Sequence, residues 1–445
     1  MTLHPRDRQI LKIALPSIVS NITVPLLGLV DVSIVGHLGA AAYIGAIAVG
    51  GMLFNIIYWL FAFLRMGTGG MTSQAFGARD LPEVMRLLLR SVLLGMGLGL
   101  LFILLQYPLR ELALYLIAPP TAEVAALTRT YFNICIYGAP AMLGLYGLIG
   151  WFLGMQNSRS PMWVAIVQNV VNIGCSLLLV YGFGLKVDGV ALGTLIAQYA
   201  GFLTALFLLM RHYRRLMRYL PERLFSAKAL HTLWNRTAMA RFFSVNRNIF
   251  LRTLCLVTVT LFFTSAGAAQ GEVILAVNTL LMQLFTLYSY IMDGFAFAGE
   301  ALSGRYIGAR HAEAFFSTVR RLFVWGALIS LLFTLTYALG GASFLQLLTS
   351  EEEVIAASAT YFPWALLIPL CGLAAFIWDG IYIGATATRG MLLSMAIATL
   401  TFFLLYAALH TIWGNHALWL AFLAYLLQRG LMQTLLRKSV YQKLS

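Results

Sequence analysis

The chain has 445 residues, 60% of them hydrophobic and 10% charged, with a net charge of +14 and a mean hydropathy of +0.84. A water-soluble domain carries about 25% charged residues, so this composition excludes a soluble globule and requires a bilayer, where helices of about 20 apolar residues satisfy their own backbone hydrogen bonds. A transmembrane β-barrel is excluded as well, because windows such as 87–105 are continuously apolar with no period-two alternation.

In chain order, apolar runs separated by charges, Gly or Pro predict twelve spans. They cover residues 11–36, 44–67, 86–107, 127–151, 161–183, 189–211, 240–265, 273–299, 319–341, 357–383, 390–411 and 414–436. The polar start, residues 1–12, leads straight into the first span without a small-residue cleavage site, and no cleavable signal peptide is expected. Cys135, Cys175, Cys255 and Cys371 all fall inside apolar segments without metal-ligand spacing and read as small core residues.

The basic residues set the orientation, because cytoplasmic loops retain Lys and Arg. Of the 30 Lys and Arg, all but Arg110, Arg129 and Lys186 fall on the side of the two termini. Both termini are therefore expected in the cytoplasm. The same asymmetry accounts for the positive charge without a nucleic-acid partner. Arg65 reads as a snorkelling side chain.

The chain also resembles itself. Gln74-Ala75-Phe76-Gly77-Ala78-Arg79 follows the second span and Arg305-Tyr306-Ile307-Gly308-Ala309-Arg310 follows the eighth, an offset of 231. Glu123-Val124 and Tyr131-Phe132 recur as Glu353-Val354 and Tyr361-Phe362, and Gly154 and Arg159 recur as Gly384 and Arg389, at an offset of 230. Several matches in register argue for duplication. The expected organisation is an N-lobe over 1–211, a cytoplasmic basic linker over 212–239 and a C-lobe over 240–445. Each lobe holds six spans, an even number, so the two share one orientation and a pseudo-two-fold axis should run along the membrane normal.

An ionisable residue inside a span costs about 2.5–3.5 kcal/mol on insertion scales, and is a functional candidate for that reason. Asp31 lies deep in the first span, and Pro25 before it removes a helical hydrogen bond and marks a hinge. In the fifth span Asn169, Asn172 and Ser176 share one helix face; Thr194 and Gln198 form a second polar pair in the sixth. Their alternative reading is as interhelical glue. In the second half Asp293 and Glu300 of the eighth span and Asp379 of the tenth are candidates for an ion or a substrate. Glu300, near the cytoplasmic end, is also readable as a gate or a surface ion pair. His37 and His410 sit near outer span ends and read as wetted. No P-loop, nucleophile elbow or His/Cys cluster is present, so neither ATP nor covalent chemistry is expected, and the chain does not read as an enzyme.

Asn21-Ile22-Thr23-Val24-Pro25-Leu26-Leu27-Gly28-Leu29-Val30-Asp31, Gln74-Ala75-Phe76-Gly77-Ala78 and Trp378-Asp379-Gly380-Ile381-Tyr382-Ile383-Gly384-Ala385-Thr386 resemble a known family. It is the multidrug and toxic compound extrusion (MATE) transporters, in their DinF-like branch, and the likeness runs over essentially the whole chain. The resemblance implies export of small cationic or amphipathic compounds in exchange for protons, less readily sodium, by a rocker-switch between two lobes. A monomer in the bacterial inner membrane is expected, in contact with lipid and with no cofactor beyond the coupling ion. The resemblance places ion coupling at Asp31, with Asn172 and Thr194 in the polar cluster around it. Many relatives carry a second acid where this chain has Ser176, which disfavours a two-acid sodium site. Na+ near Asp31 or Asp379 remains the alternative to H+. Two further readings are a lipid-linked precursor flippase, which calls for Arg or Lys inside the spans, and a polytopic membrane enzyme acting on isoprenoid lipids, for which only Glu351-Glu352-Glu353 offers acids at a loop.

Overall fold

In a computed structural model the described residues are 4–36, 40–117, 121–219, 233–348 and 351–444. His37 and residues 220–232 of the basic linker lie outside them. The described chain is helical with no strand, an all-α integral membrane fold.

The helices are α1 (Pro5–Gly36), α2 (Ala41–Phe61), α3 (Phe63–Gly77), α4 (Leu81–Leu104), α5 (Gln106–Ile117), α6 (Ala122–Cys135), α7 (Ala139–Gly154), α8 (Arg159–Leu177) and α9 (Val187–Tyr213). They continue with α10 (Arg236–Ala268), α11 (Glu272–Gly308), α12 (Ala312–Leu348), α13 (Glu352–Gly384), α14 (Thr388–Trp413) and α15 (Asn415–Leu435), then a four-residue turn of helix at Lys438–Tyr441. Each apolar run of the sequence lies in one of these helices or in a nearly continuous pair, α2 with α3 and α6 with α7. Ten stretches among the described residues are long and apolar enough to cross a membrane. The interior Arg429 and Gln433 of α15 leave it out of that set, although its 21 residues span roughly 31 Å. The sequence reading passed over α5, a short helix tied to α6 by Arg129, whose guanidinium lies 3.1 Å from Glu111. Hydrogen bonds from Arg129 and then Arg110 hold the exposed Glu111 carboxyl below the usual range.

Two compact units divide the chain: Val19–Phe243, and Ser244–Ser445 together with Met1–Ile18. The first turns of α1 thus pack with the second half of the sequence. Inside each unit the same device joins a central helix pair. On α7, a Cβ added at Gly150 would overlap the Arg65 carbonyl of α3, and one at Gly154 would meet Thr72. On α13, a Cβ at Gly380 would overlap the Ala296 carbonyl of α11, and one at Gly384 would overlap the Glu300 carbonyl. Small residues four apart let two backbones approach, as membrane helices require in the absence of a hydrophobic drive between them. The Gly380→Ala variant is accordingly expected to lose about 1–3 kcal/mol by overpacking against backbone that cannot move aside, read as a lower midpoint of thermal unfolding in detergent.

The repeat is also visible in the turns. Helices α3, α7, α11 and α13 end on left-handed residues, Arg79 (φ 59°), Gln156 (φ 62°), Arg310 (φ 52°) and Thr386 (φ 51°). All four turns carry the same three closing hydrogen bonds; in the first, the amides of Ala78, Arg79 and Asp80 donate to the carbonyls of Gln74, Phe76 and Ala75. Glycine commonly holds this position. Because a left-handed L-residue costs about 1–2 kcal/mol, Arg79→Gly and Arg310→Gly should each leave the unfolding midpoint unchanged or raise it, and a clear drop in either would contradict the strain assigned here.

Candidate functional site

Asp31 of α1 is 5% exposed and lies inside the Val19–Phe243 unit. Its hydrogen-bonding neighbours are the side chains of Asn172 on α8 and Thr194 on α9. The Asn172 amide donates to the Thr194 hydroxyl at 3.1 Å. One turn earlier on α8 the Asn169 amide donates to the Thr23 carbonyl of α1 at 3.0 Å, two residues before Pro25. At the other end of this stretch the Tyr181 hydroxyl donates to the Ile34 carbonyl at 2.9 Å. The face shared by Asn169, Asn172 and Ser176 therefore turns toward α1 and α9, and it grips α1 on the two sides of Asp31. Gly193 of α9 makes room for Ser176, since a Cβ there would overlap the Ser176 hydroxyl.

Three oxygens of this cluster are buried without a hydrogen-bond partner: Asp31 Oδ1, Asn172 Oδ1 and Ser176 Oγ. A buried acceptor left without a donor costs about 1–3 kcal/mol. One carboxylate and neutral oxygens in want of a donor suit a proton, a hydrated proton or a small monovalent cation. Among the described residues no group of three or more His, Cys, Asp or Glu could hold a metal ion. An open, shallow groove is lined by Val30, Ser33, Ile34, Leu177 and Tyr181.

Two residues of the cluster escaped the sequence reading. Tyr131 and Cys135 of α6 are buried and feel the Asp31 charge, and the Cys135 thiol also reaches the Ala191 carbonyl at 3.7 Å. They stand four apart on one helix face, a signal the sequence carries, but inside an apolar run they read as packing. Tyr58 and Gln198 form a further buried polar contact in the same unit.

The second-half candidates behave differently. Asp379 is 7% exposed, and its carboxylate accepts hydrogen bonds from Arg252 of α10, from Arg429 of α15 at 2.7 Å and from Gln433 at 2.5 Å. The carboxylate that the sequence offers to an ion or a substrate is thus paired with two guanidiniums. Arg252 and Arg429, counted by sequence among the orientation charges, are both buried. Asp293 of α11 is half-buried and within electrostatic reach of Arg429. Glu300 is 1% exposed, buried inside its unit instead of lying at a surface. His410 is exposed at the end of α14, consistent with a wetted side chain.

Comparison with known proteins places these features. The MatE family model matches residues 16–178 and again 248–409, one match in each half of the chain. The "DNA damage-inducible protein F" of Escherichia coli is 39% identical over 429 residues, which cover 96% of this chain and 91% of that protein. The "Probable multidrug resistance protein NorM" of Thermotoga maritima is 23% identical over 358 residues, 78% of this chain and 73% of that one. Among solved structures, the Vibrio cholerae MATE transporter VcmN in its bent form superposes with a TM-score of 0.83 at 18% identity, covering 98% of both chains, a likeness of fold. With a family match over each half and a relative this similar along almost its full length, the chain belongs to the MatE family of membrane transporters.

Proposed function

We propose that this protein is a secondary-active exporter of small cationic or amphipathic compounds, driven by inward proton flux through Asp31 and working by alternating access between its two lobes. The observation that carries the reading is a buried carboxylate whose partners are all neutral, among buried oxygens that lack a hydrogen-bond partner. In this scheme Asp31, ionised toward the cytoplasm, attracts a cationic substrate. A proton from outside neutralises it, alters its hydrogen bonds to Asn172 and Thr194, and releases the substrate as α1 adjusts about Pro25. Sodium is the second ion this oxygen set suits, and Ser176 in place of an acid favours the proton, since one carboxylate matches one proton without a metal's larger ligand count. Similarity to a probable multidrug resistance protein of Thermotoga maritima and to a multidrug export protein of Staphylococcus aureus supports the substrate class. The charge asymmetry supports a multi-pass inner-membrane protein with cytoplasmic termini, and we take it to act as a monomer.

A lipid-linked precursor flippase is the second reading. Buried Arg252 and Arg429 favour it, but Asp379 already occupies part of their hydrogen-bonding capacity. Purified protein in liposomes loaded with a fluorescent cationic dye decides between these readings. Dye movement driven by an imposed pH gradient alone is the expected result. Movement driven only by sodium would replace the coupling ion, and no movement under either gradient would overturn the exporter reading.

A further inference from the structure

Helix α9 ends in a concentration of positive charge. Arg211, Arg214, Arg215 and Arg218 sit on its last turn and on the turn of 3-10 helix that continues it, Arg214–Tyr219. By sequence they belong to the orientation signal, which needs charge but no particular geometry. All four side chains are exposed. The other side of the same segment is not: Tyr213, Leu216, Met217 and Tyr219 pack against the core that contains Val84, Met85 and Leu88 of α4 and Trp151 of α7. The Tyr213 ring meets Trp151 edge-on with 4.9 Å between ring centres, and its hydroxyl accepts from the Asn157 amide at 3.1 Å. The arginines are thus presented outward by a segment that is held from beneath.

Among the described residues no acid pairs with any of the four. The acids at the start of α4 are taken: Glu83 pairs with Arg86 and Arg90, and the Asp80 carboxylate caps the helix on the Glu83 amide. Arg218 donates to the Tyr219 hydroxyl at 3.0 Å and lies over that ring, which leaves its charge in place. Helix α9 also shows what lies beside this charge. Ile196, Tyr199, Leu203, Phe207 and Met210 are exposed and recur every three or four residues, an apolar stripe along one face. The next position in that spacing is Arg214. A span that shows hydrocarbon to lipid and turns to arginine on the same face matches a phospholipid laid alongside it, acyl chain on the stripe and phosphate at the guanidinium. A soluble anion would use the arginines and not the stripe.

We infer that residues 211–218 form a binding site for the phosphate headgroups of anionic phospholipids at the bilayer surface, with an acyl chain along the 196–210 face of α9. The site lies wholly inside the Val19–Phe243 unit and is independent of the ion coupled at Asp31.

Native mass spectrometry of the purified protein, titrated with phosphatidylglycerol or with phosphatidylcholine of the same chains, reads the affinity of the folded protein for the first lipid bound. Wild type should prefer phosphatidylglycerol, and the preference should weaken as salt screens the exposed charges. With Arg211→Gln, Arg214→Gln, Arg215→Gln and Arg218→Gln combined, affinity for the first phosphatidylglycerol should fall about tenfold or more, since each basic residue at a bilayer surface adds to the attraction for anionic lipid. Phosphatidylcholine binding should not change. A control variant, Arg437→Gln with Lys438→Gln and Lys443→Gln, removes exposed charge elsewhere and should leave both affinities alone. Equal affinity of wild type for the two lipids, or an undiminished preference in the fourfold variant, would overturn the site. An equal loss in the control variant would reduce it to net charge and overturn it as well. Inorganic phosphate that displaces phosphatidylglycerol from wild type would make the patch a site for soluble anions, against the lipid assignment.

Discussion

Asp31→Asn protein is expected to insert, fold and bind neutral amphiphiles, yet to export no cationic dye under a pH gradient. Asparagine matches the protonated acid in size and can accept and donate within the cluster formed by Asn172 and Thr194. It cannot gain or lose a proton or carry charge. Removing a buried charge whose partners are all neutral also removes its desolvation cost, so the variant's unfolding midpoint should equal or exceed that of wild type. Loss of transport therefore cannot be blamed on loss of fold. Dye efflux and proton uptake should be followed together, because a variant that still moves dye down its own gradient while proton uptake is abolished identifies Asp31 as the coupling group and not merely a substrate contact. Near-wild-type, pH-driven efflux by Asp31→Asn would remove Asp31 from the mechanism.

Much of this arrangement is written locally in the sequence, and the exceptions share a physical cause. The helices follow from hydropathy because lipid forces each backbone segment to satisfy itself, and the repeat follows from matched motifs at equivalent points. Asp31, Asn172 and Thr194 are legible because a polar group in an apolar run has few excuses. Tyr131 and Cys135 are not, since both residue types are ordinary in apolar helices and only packing brings α6 to α1. Arg252 and Arg429 mislead for a different reason. Each lies within a few turns of a span's end, where a long side chain can either snorkel to water or turn inward, and the choice depends on an acid 127 and 50 positions away, Asp379. The buried Asp7 is hidden in the same way: its partners, Arg321 and Trp325, lie more than 300 positions along the chain. The left-handed ends at Arg79 and Arg310 are signalled only by the preceding Gly-Ala of the repeat, because the residue that adopts the conformation is not glycine.

Asp31 and Asp379 should respond in opposite ways to the loss of charge, and the second is the sharper test of stability. Asp379→Ala leaves Arg252 and Arg429, both buried, facing one another with no anion between them and strips Gln433 of its acceptor. Breaking a buried ion pair by removing one partner costs about 3–5 kcal/mol, because the remaining charge stays desolvated. Here two charges are stranded, and the expected result is a large fall in unfolding midpoint or failure to accumulate in the membrane. Asp379→Asn, which keeps acceptor oxygen but not charge, should fall between Asp379→Ala and wild type, whereas Asp31→Asn should not fall at all. Replacing the triad together, Arg252→Met with Asp379→Leu and Arg429→Met, removes every stranded charge and should recover most of the lost stability, since an apolar set of similar volume substitutes for a buried ion network at little cost. Recovery in the triple variant would separate the desolvation penalty from any loss of packing. A triple variant no more stable than Asp379→Ala would mean that α10, α13 and α15 depend on these particular hydrogen bonds, and a single variant as stable as wild type would mean that the two guanidiniums find other partners when the carboxylate is gone.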